Sequence, residues 1–133
     1  MRKIDLIVIH CSATKPSQDI GASEIKAWHK ARGWKTIGYH YVIRRNGLVE
    51  KGRSIYQVGA HCAGYNQNSI GICYVGGLDE NGKPADTRTE QQKTAMVKLV
   101  RELLLQFPKA RVVGHRVLNP KKECPCFDVC FKL

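Results

Sequence analysis

Apolar residues run with a single break from Ile4 to Ile9 in "KIDLIVIH", residues 3 to 10. A run so short and so rich in β-branched side chains predicts a strand covered on both faces, with His10 at its C-terminal end. "GASEIKAWHKARG" then predicts a short helix, with Ser23 as candidate N-cap, Ile25 and Trp28 a turn apart, and Gly33 as the stop. In "IGYHYVIRRNGLVEKGR" two β-rich segments flank Asn46-Gly47, a pair that tolerates the positive φ angles of a type I′ turn. A hairpin is predicted there, its first strand opened by Tyr39 and His40. "NSIGICYVGG" predicts a second buried strand over residues 69–75, closed by Gly76-Gly77, and residues 78–86 a polar turn around Asn81-Gly82. The period then changes: Met96, Leu99, Val100, Leu103, Leu104 and Phe107 form one helical stripe behind "TRTE". Thr87 and Glu90 make a capping-box pattern at its start, and Pro108 ends it. "ARVVGH" is a last strand. Strands alternating with helices, plus one hairpin, predict an α/β fold with a central mixed β-sheet flanked by helices.

The length of 133 residues suits one domain, able to bury about two-thirds of the surface its unfolded chain exposes. The apolar run Leu6 to Ile9 is much shorter than a signal-peptide core, and no segment approaches the roughly 20 apolar residues of a membrane span. A soluble protein made in the cytoplasm without a signal peptide is therefore expected. Charge is less ordinary. Lys+Arg number 22 against 11 Asp+Glu, a net +11 that favours polyanions such as nucleic acid, anionic lipid or acidic envelope polymers. No Lys/Arg-rich run or recognition-helix motif singles out nucleic acid. Six cysteines, at 11, 62, 73, 124, 126 and 130, are expected as reduced thiols in the absence of an export signal. Cys62 and Cys73 read as small hydrophobes, while Cys126 and Cys130 leave open a small disulfide or another metal geometry.

His10 and His115 both fall at predicted C-terminal strand ends, the edge where open α/β sheets bind ligands. If their strands are neighbours the two imidazoles meet, and Cys124, in a loop that can fold back, supplies a third donor. Two histidines and a thiolate leave one position of a tetrahedral zinc open, as catalytic sites do. Cys11 is the poorer ligand because adjacent strand residues point to opposite faces. Spacing alone leaves the alternative that these histidines serve packing or hydrogen bonding.

Four ordered segments carry a resemblance that spacing does not: "IVIHCSAT", "WHKARGWKTIGYHYVIRRNG", "GAHCAGYNQNSIGICYVGG" and "GHRVLNPKKECPCFD". Through them the chain resembles the zinc-dependent N-acetylmuramoyl-L-alanine amidases of the amidase type 2 family, which includes short phage lysozymes and peptidoglycan recognition proteins. The resemblance implies one catalytic domain over residues 1–133, and one zinc ion per chain held by His10, His115 and Cys124. It also implies catalytic roles for Tyr39, in "GYH", and for Lys122, two residues before Cys124. The loop from His115 to Cys124 is one residue longer than in the closest phage pattern, which brings Lys121 into competition with Lys122 for the catalytic position.

The implied reaction is hydrolysis of the amide joining N-acetylmuramic acid to the L-alanine of the peptidoglycan stem. Lys122 and Tyr39 would face the oxyanion formed on attack. His61 is a candidate for substrate contact or protonation of the leaving amine, beside Asn66 and Asn68 as candidate substrate-binding residues. His29 and His40 read as structural. A phage or prophage endolysin, monomeric, bound to peptidoglycan and reaching the wall after holin-type release, fits this resemblance; any protein partner such as a polymerase is left unassigned. Two other classes compete: a non-catalytic peptidoglycan-binding module, against which Cys124 argues, and a basic regulatory protein, suggested by charge alone.

Overall fold

In the computed structural model, which describes residues 2–129, five strands form: β1 (Leu6–Cys11), β2 (Tyr41–Ile43), β3 (Val49–Lys51), β4 (Ser69–Tyr74) and β5 (Arg111–Gly114). They make one sheet in the order β3-β2-β4-β1-β5. β1 runs parallel to both β4 and β5, β2 runs parallel to β4, and only the β2–β3 hairpin is antiparallel. Three α-helices accompany the sheet among the described residues: α1 (Ala22–Ala31), α2 (Glu90–Gln106) and the short α3 (His115–Leu118). The predicted mixed α/β sheet is the architecture observed.

Strand alternation sorts the side chains between two faces. Ile7, Ile9 and Cys11 of β1, Ile43 of β2, and Ile70, Ile72 and Tyr74 of β4 pack with Met96, Leu99, Val100, Leu103 and Leu104 of α2. The residues between them face the other way, where Val42, Cys73 and Val75 meet Ile25 of α1 and Ile37. His10 and His40 are buried on this second side. Fully burying each aliphatic side chain of the α2 layer contributes about 2 kcal/mol, so this layer anchors the sheet.

Local details differ from the sequence expectations, each for a physical reason. α1 is capped at Gly21 and not at Ser23. Glu50 of β3 reaches the helix start to accept from the Ala22 N–H at 2.9 Å, and a Cβ on Gly21 would lie 2.4 Å from its carboxylate. The buried stripe of α1 is Ile25 with His29, while Trp28 stays 42% exposed. In the hairpin only Gly47 has positive φ, at +88°. Gly47 N–H donates to Arg44 C=O and Arg44 N–H to Leu48 C=O, so the loop has three residues with glycine in the left-handed position, not a type I′ turn. Thr89 and Gln92 form the capping box of α2 in place of Thr87 and Glu90, because the Thr87 hydroxyl already accepts from Gly77 N–H at 2.9 Å. β5 stops at Gly114, and His115 opens α3 instead of ending a strand. Cys11, Cys62, Cys73, Cys124 and Cys126 are all free thiols; Cys130 lies outside the described residues.

Candidate metal centre and catalytic cleft

The parallel register that pairs Ile9 with Gly114 places the residues that follow, His10 and His115, side by side. Their ring centroids are 4.5 Å apart. Cys124 returns to this point because α3 turns the chain back: Arg116 N–H donates to Cys124 C=O at 2.8 Å, and Tyr74 O–H donates to Pro125 C=O at 2.6 Å. Pro125 rests on Gly114, where an added Cβ would meet its ring at 2.8 Å. Cys124 Sγ accepts the Cys11 N–H at 3.0 Å. One ligand atom from each of His10, His115 and Cys124 lies within 4.8 Å of the others, and this is the one such group found among the described residues. Two imidazole nitrogens and a sulfur are a donor set suited to zinc with a position left for substrate or water.

Burial sets the protonation of this centre. It holds the His10 pKa well below the usual histidine value, helped by His61 and His115. His61 is pushed down to about 3 by burial and then by the nearby His40 and His115. His115 is lowered by burial and by the Lys122 ammonium. All three rings are therefore neutral near pH 7 and keep a lone pair for a cation or a hydrogen bond. Burial, followed by the thiols of Cys73, Cys124 and Cys11, raises the Tyr39 phenol well above its ordinary value, so it stays a proton donor.

The centre forms the floor of a cleft of about 560 Å³. Tyr39, His61, Asn66 and Lys122 all reach its wall, whereas Lys121 does not. The Tyr39 ring sits 5.1 Å from His10. Asn66 Oδ1 accepts the N–H groups of His61 and Cys62, each at 2.9 Å, so its side chain braces the loop that carries His61. Asn68 is not brought to the cleft: it donates to Asp5 Oδ2 at 3.1 Å, beside the start of β1. The expectation of substrate contact for Asn68 is corrected by that placement. His40 is structural as expected, with Nδ1 accepting from Gly71 N–H at 3.0 Å and Nε2 donating to Gln57 C=O at 2.8 Å.

Sequence reasoning missed His29, Arg32, Trp34 and Asn119, which also line the cleft. His29 accepts Gly38 N–H at 2.9 Å through Nδ1, which is the structural role expected, yet its ring also faces the wall beside Trp34 and Tyr39. The available signal was Gly33, with φ of +93°, which turns Trp34 off the helix axis and back towards His29.

Residues 1–127 match the family model described as N-acetylmuramoyl-L-alanine amidase. The chain belongs to the N-acetylmuramoyl-L-alanine amidase family. The endolysin of Escherichia phage T7 is 47% identical over 125 residues, covering 94% of this chain and 82% of the relative. Peptidoglycan-recognition protein SC2 of Drosophila melanogaster is 33% identical over 120 residues, 87% of this chain and 61% of that one. An endolysin N-acetylmuramoyl-L-alanine amidase from Clostridium intestinale URNW superposes with a TM-score of 0.80 at 31% identity, over 93% of this chain and 76% of that structure. The chain is a peptidoglycan amidase of the endolysin type, and the cleft is where its fold gathers the chemistry. No helix of the amidase among the described residues is long and apolar enough to cross a membrane.

Proposed function

We propose that the amidase is zinc-dependent, with one ion per chain held by His10, His115 and Cys124. The observation that carries this reading is the convergence of their donor atoms within 4.8 Å on the cleft floor. Zinc bound there supplies a Lewis acid for the scissile carbonyl and lowers the pKa of water towards about 7. The chain's own residues do the rest. The amide between N-acetylmuramic acid and L-alanine lies in the cleft, and the Tyr39 hydroxyl and Lys122 ammonium on its wall stabilise the oxyanion that develops on the carbonyl. Burial keeps His115 neutral, and the Lys122 charge adds to this by opposing protonation of that ring.

Peptidoglycan is the partner, and the net charge of +11 holds a monomeric enzyme to an anionic wall. Action there follows holin-type release from the cytoplasm.

The test combines metal analysis with the release of L-alanine amino termini from purified peptidoglycan. One zinc per chain is expected, with release stopped by a chelator and restored by added zinc. Cys124→Ala should lower release by about 1,000-fold or more. Undiminished release after both chelation and Cys124→Ala would sink the zinc reading.

A further inference from the structure

His61 is not one of the three donors, yet it touches one of them, His10. Its loop is pinned from behind, by Asn66 Oδ1 on its own N–H at 2.9 Å. Its ring lies against two glycines: a Cβ on Gly71 would fall 2.6 Å from His61 Cγ, and one on Gly59 2.8 Å from its Cδ2. Side chains at either position would push the ring away. So held, His61 meets His10 edge-on, with centroids 5.0 Å apart and planes at 88°. His61 Nδ1 is 2.9 Å from His10 Nε2, and His61 Nε2 is 3.1 Å from the hydroxyl of the fully buried Ser69.

Protons can run along this chain in only two directions, because each neutral imidazole carries one N–H. If Ser69 donates to His61 and His61 to His10, the His10 proton must sit on Nδ1. Both His10 nitrogens are then committed and no lone pair remains for a cation. In the reverse direction His10 Nε2–H donates to His61 Nδ1, and His61 Nε2–H donates to Ser69 Oγ. His10 Nδ1 is then free.

We infer that His61 is a positioning residue for the metal centre: it fixes His10 as the Nε2–H tautomer, with Ser69 as the anchor, and so presents His10 Nδ1 to zinc. The inference rests on the zinc reading above. It also replaces the expected role of His61 in substrate contact or leaving-amine protonation, since both of its ring nitrogens are already in use. Outer partners of this kind orient ligating histidines in metal sites, and their loss weakens metal binding by roughly 10- to 100-fold.

Zinc affinity, measured by competition with a chromophoric chelator, reads this directly and needs no substrate. His61→Phe, which keeps a ring but no acceptor, should bind zinc roughly 10- to 100-fold more weakly than wild type. His61→Asn places an amide oxygen near the Nδ1 position and should recover most of that affinity. An unchanged affinity in His61→Phe overturns the inference, as does a loss in His61→Asn equal to that in His61→Phe. Where His61→Phe does not fold, ring-nitrogen correlation spectra of the zinc-loaded wild type decide: the proton of His10 is expected on Nε2, and a proton on Nδ1 overturns the inference. Cys124→Ala separates the two levels. Zinc bound as tightly without Cys124 refutes the ligand set itself, whereas zinc lost in Cys124→Ala but kept in His61→Phe refutes only the role of His61.

Discussion

Along β1, Ile7, Ile9 and Cys11 meet α2, while His10, from between the last two, meets Tyr39, His61 and His115 on the other side. The same strand thus feeds two environments. The α2 side is an apolar layer closed by Met96, Leu99, Val100 and Leu103, whose burial is favourable wherever the side chains fit. The other side buries His10, His29 and His40, and each polar ring there must find a hydrogen-bond partner to offset its desolvation. No buried side-chain nitrogen or oxygen among the described residues lacks one. The difference teaches a division of labour. One face packs the sheet against α2, and the other aims polar groups at a cleft.

The largest effect should come from the apolar face. Met96 is fully buried against the sheet, and Met96→Ala should cost about 3 kcal/mol, lowering the melting temperature by roughly 10 °C. Activity per folded molecule should hold steady, because His10, Tyr39 and His61 gather on the side of the sheet away from α2. A fall in kcat that tracks the fall in stability would break the division, by showing that the α2 layer also tunes the cleft.

Acid tests the polar face. His40 is fully buried and its pKa falls to about 4, chiefly through desolvation, with Arg2 and Arg53 adding repulsion against the hydrogen bond to Gln57 C=O. An unfolded histidine titrates near 6.5. Between those values the unfolded chain binds the proton that the folded one refuses, so stability is full above about pH 6.5 and is lost as pH falls towards 4. His40 alone accounts for about 3 kcal/mol across that window. Urea unfolding of the metal-free protein at pH 7, 5.5 and 4 checks this, and His40→Gln should flatten the curve. A pH-independent midpoint in the wild type would contradict the buried neutral ring.

Much of this arrangement is legible in the sequence. The apolar run of β1 and the stripe of α2 are dictated by periodicity, and motif resemblance singled out His10, His115 and Cys124, which the structure gathers into one cluster. What escaped were features made by distant partners. The cap of α1 is glycine because Glu50 arrives from β3, and the capping box of α2 shifts by two residues because Thr87 is claimed by Gly77. His61 could be named from the sequence but not connected, since its link to His10 spans 51 residues and depends on the bare surface of Gly71. Asn68 misled for the opposite reason: it is near Asn66 in sequence but turns to Asp5.

Tyr39 sharpens the comparison from within the cleft. Tyr39→Phe removes only the hydroxyl and keeps the ring beside His10 and His29. Loss of one donor to a developing oxyanion should lower kcat by roughly 100-fold, with zinc content unchanged and stability within about 1 kcal/mol of wild type. Equal activity in Tyr39→Phe would assign the tyrosine to packing and leave Lys122 as the sole oxyanion donor of the reading above.

The smallest expected effect lies at the start of α2. Thr89 Oγ1 accepts the Gln92 N–H at 3.0 Å, and Gln92 Oε1 returns the contact to Thr89 N–H at 2.9 Å. The Thr89 hydroxyl also donates to Arg45 C=O at 2.7 Å, tying the helix to the hairpin. Thr89→Ala removes the cap and leaves the Arg45 carbonyl and the Gln92 N–H to find other partners, a loss of about 1 kcal/mol. Because α2 supports the sheet without entering the cleft, zinc affinity and kcat should be those of wild type. A variant with lowered zinc affinity and intact melting behaviour would mean that the helix start communicates with the metal centre through the sheet, and the two faces would have to be treated as one cooperative unit.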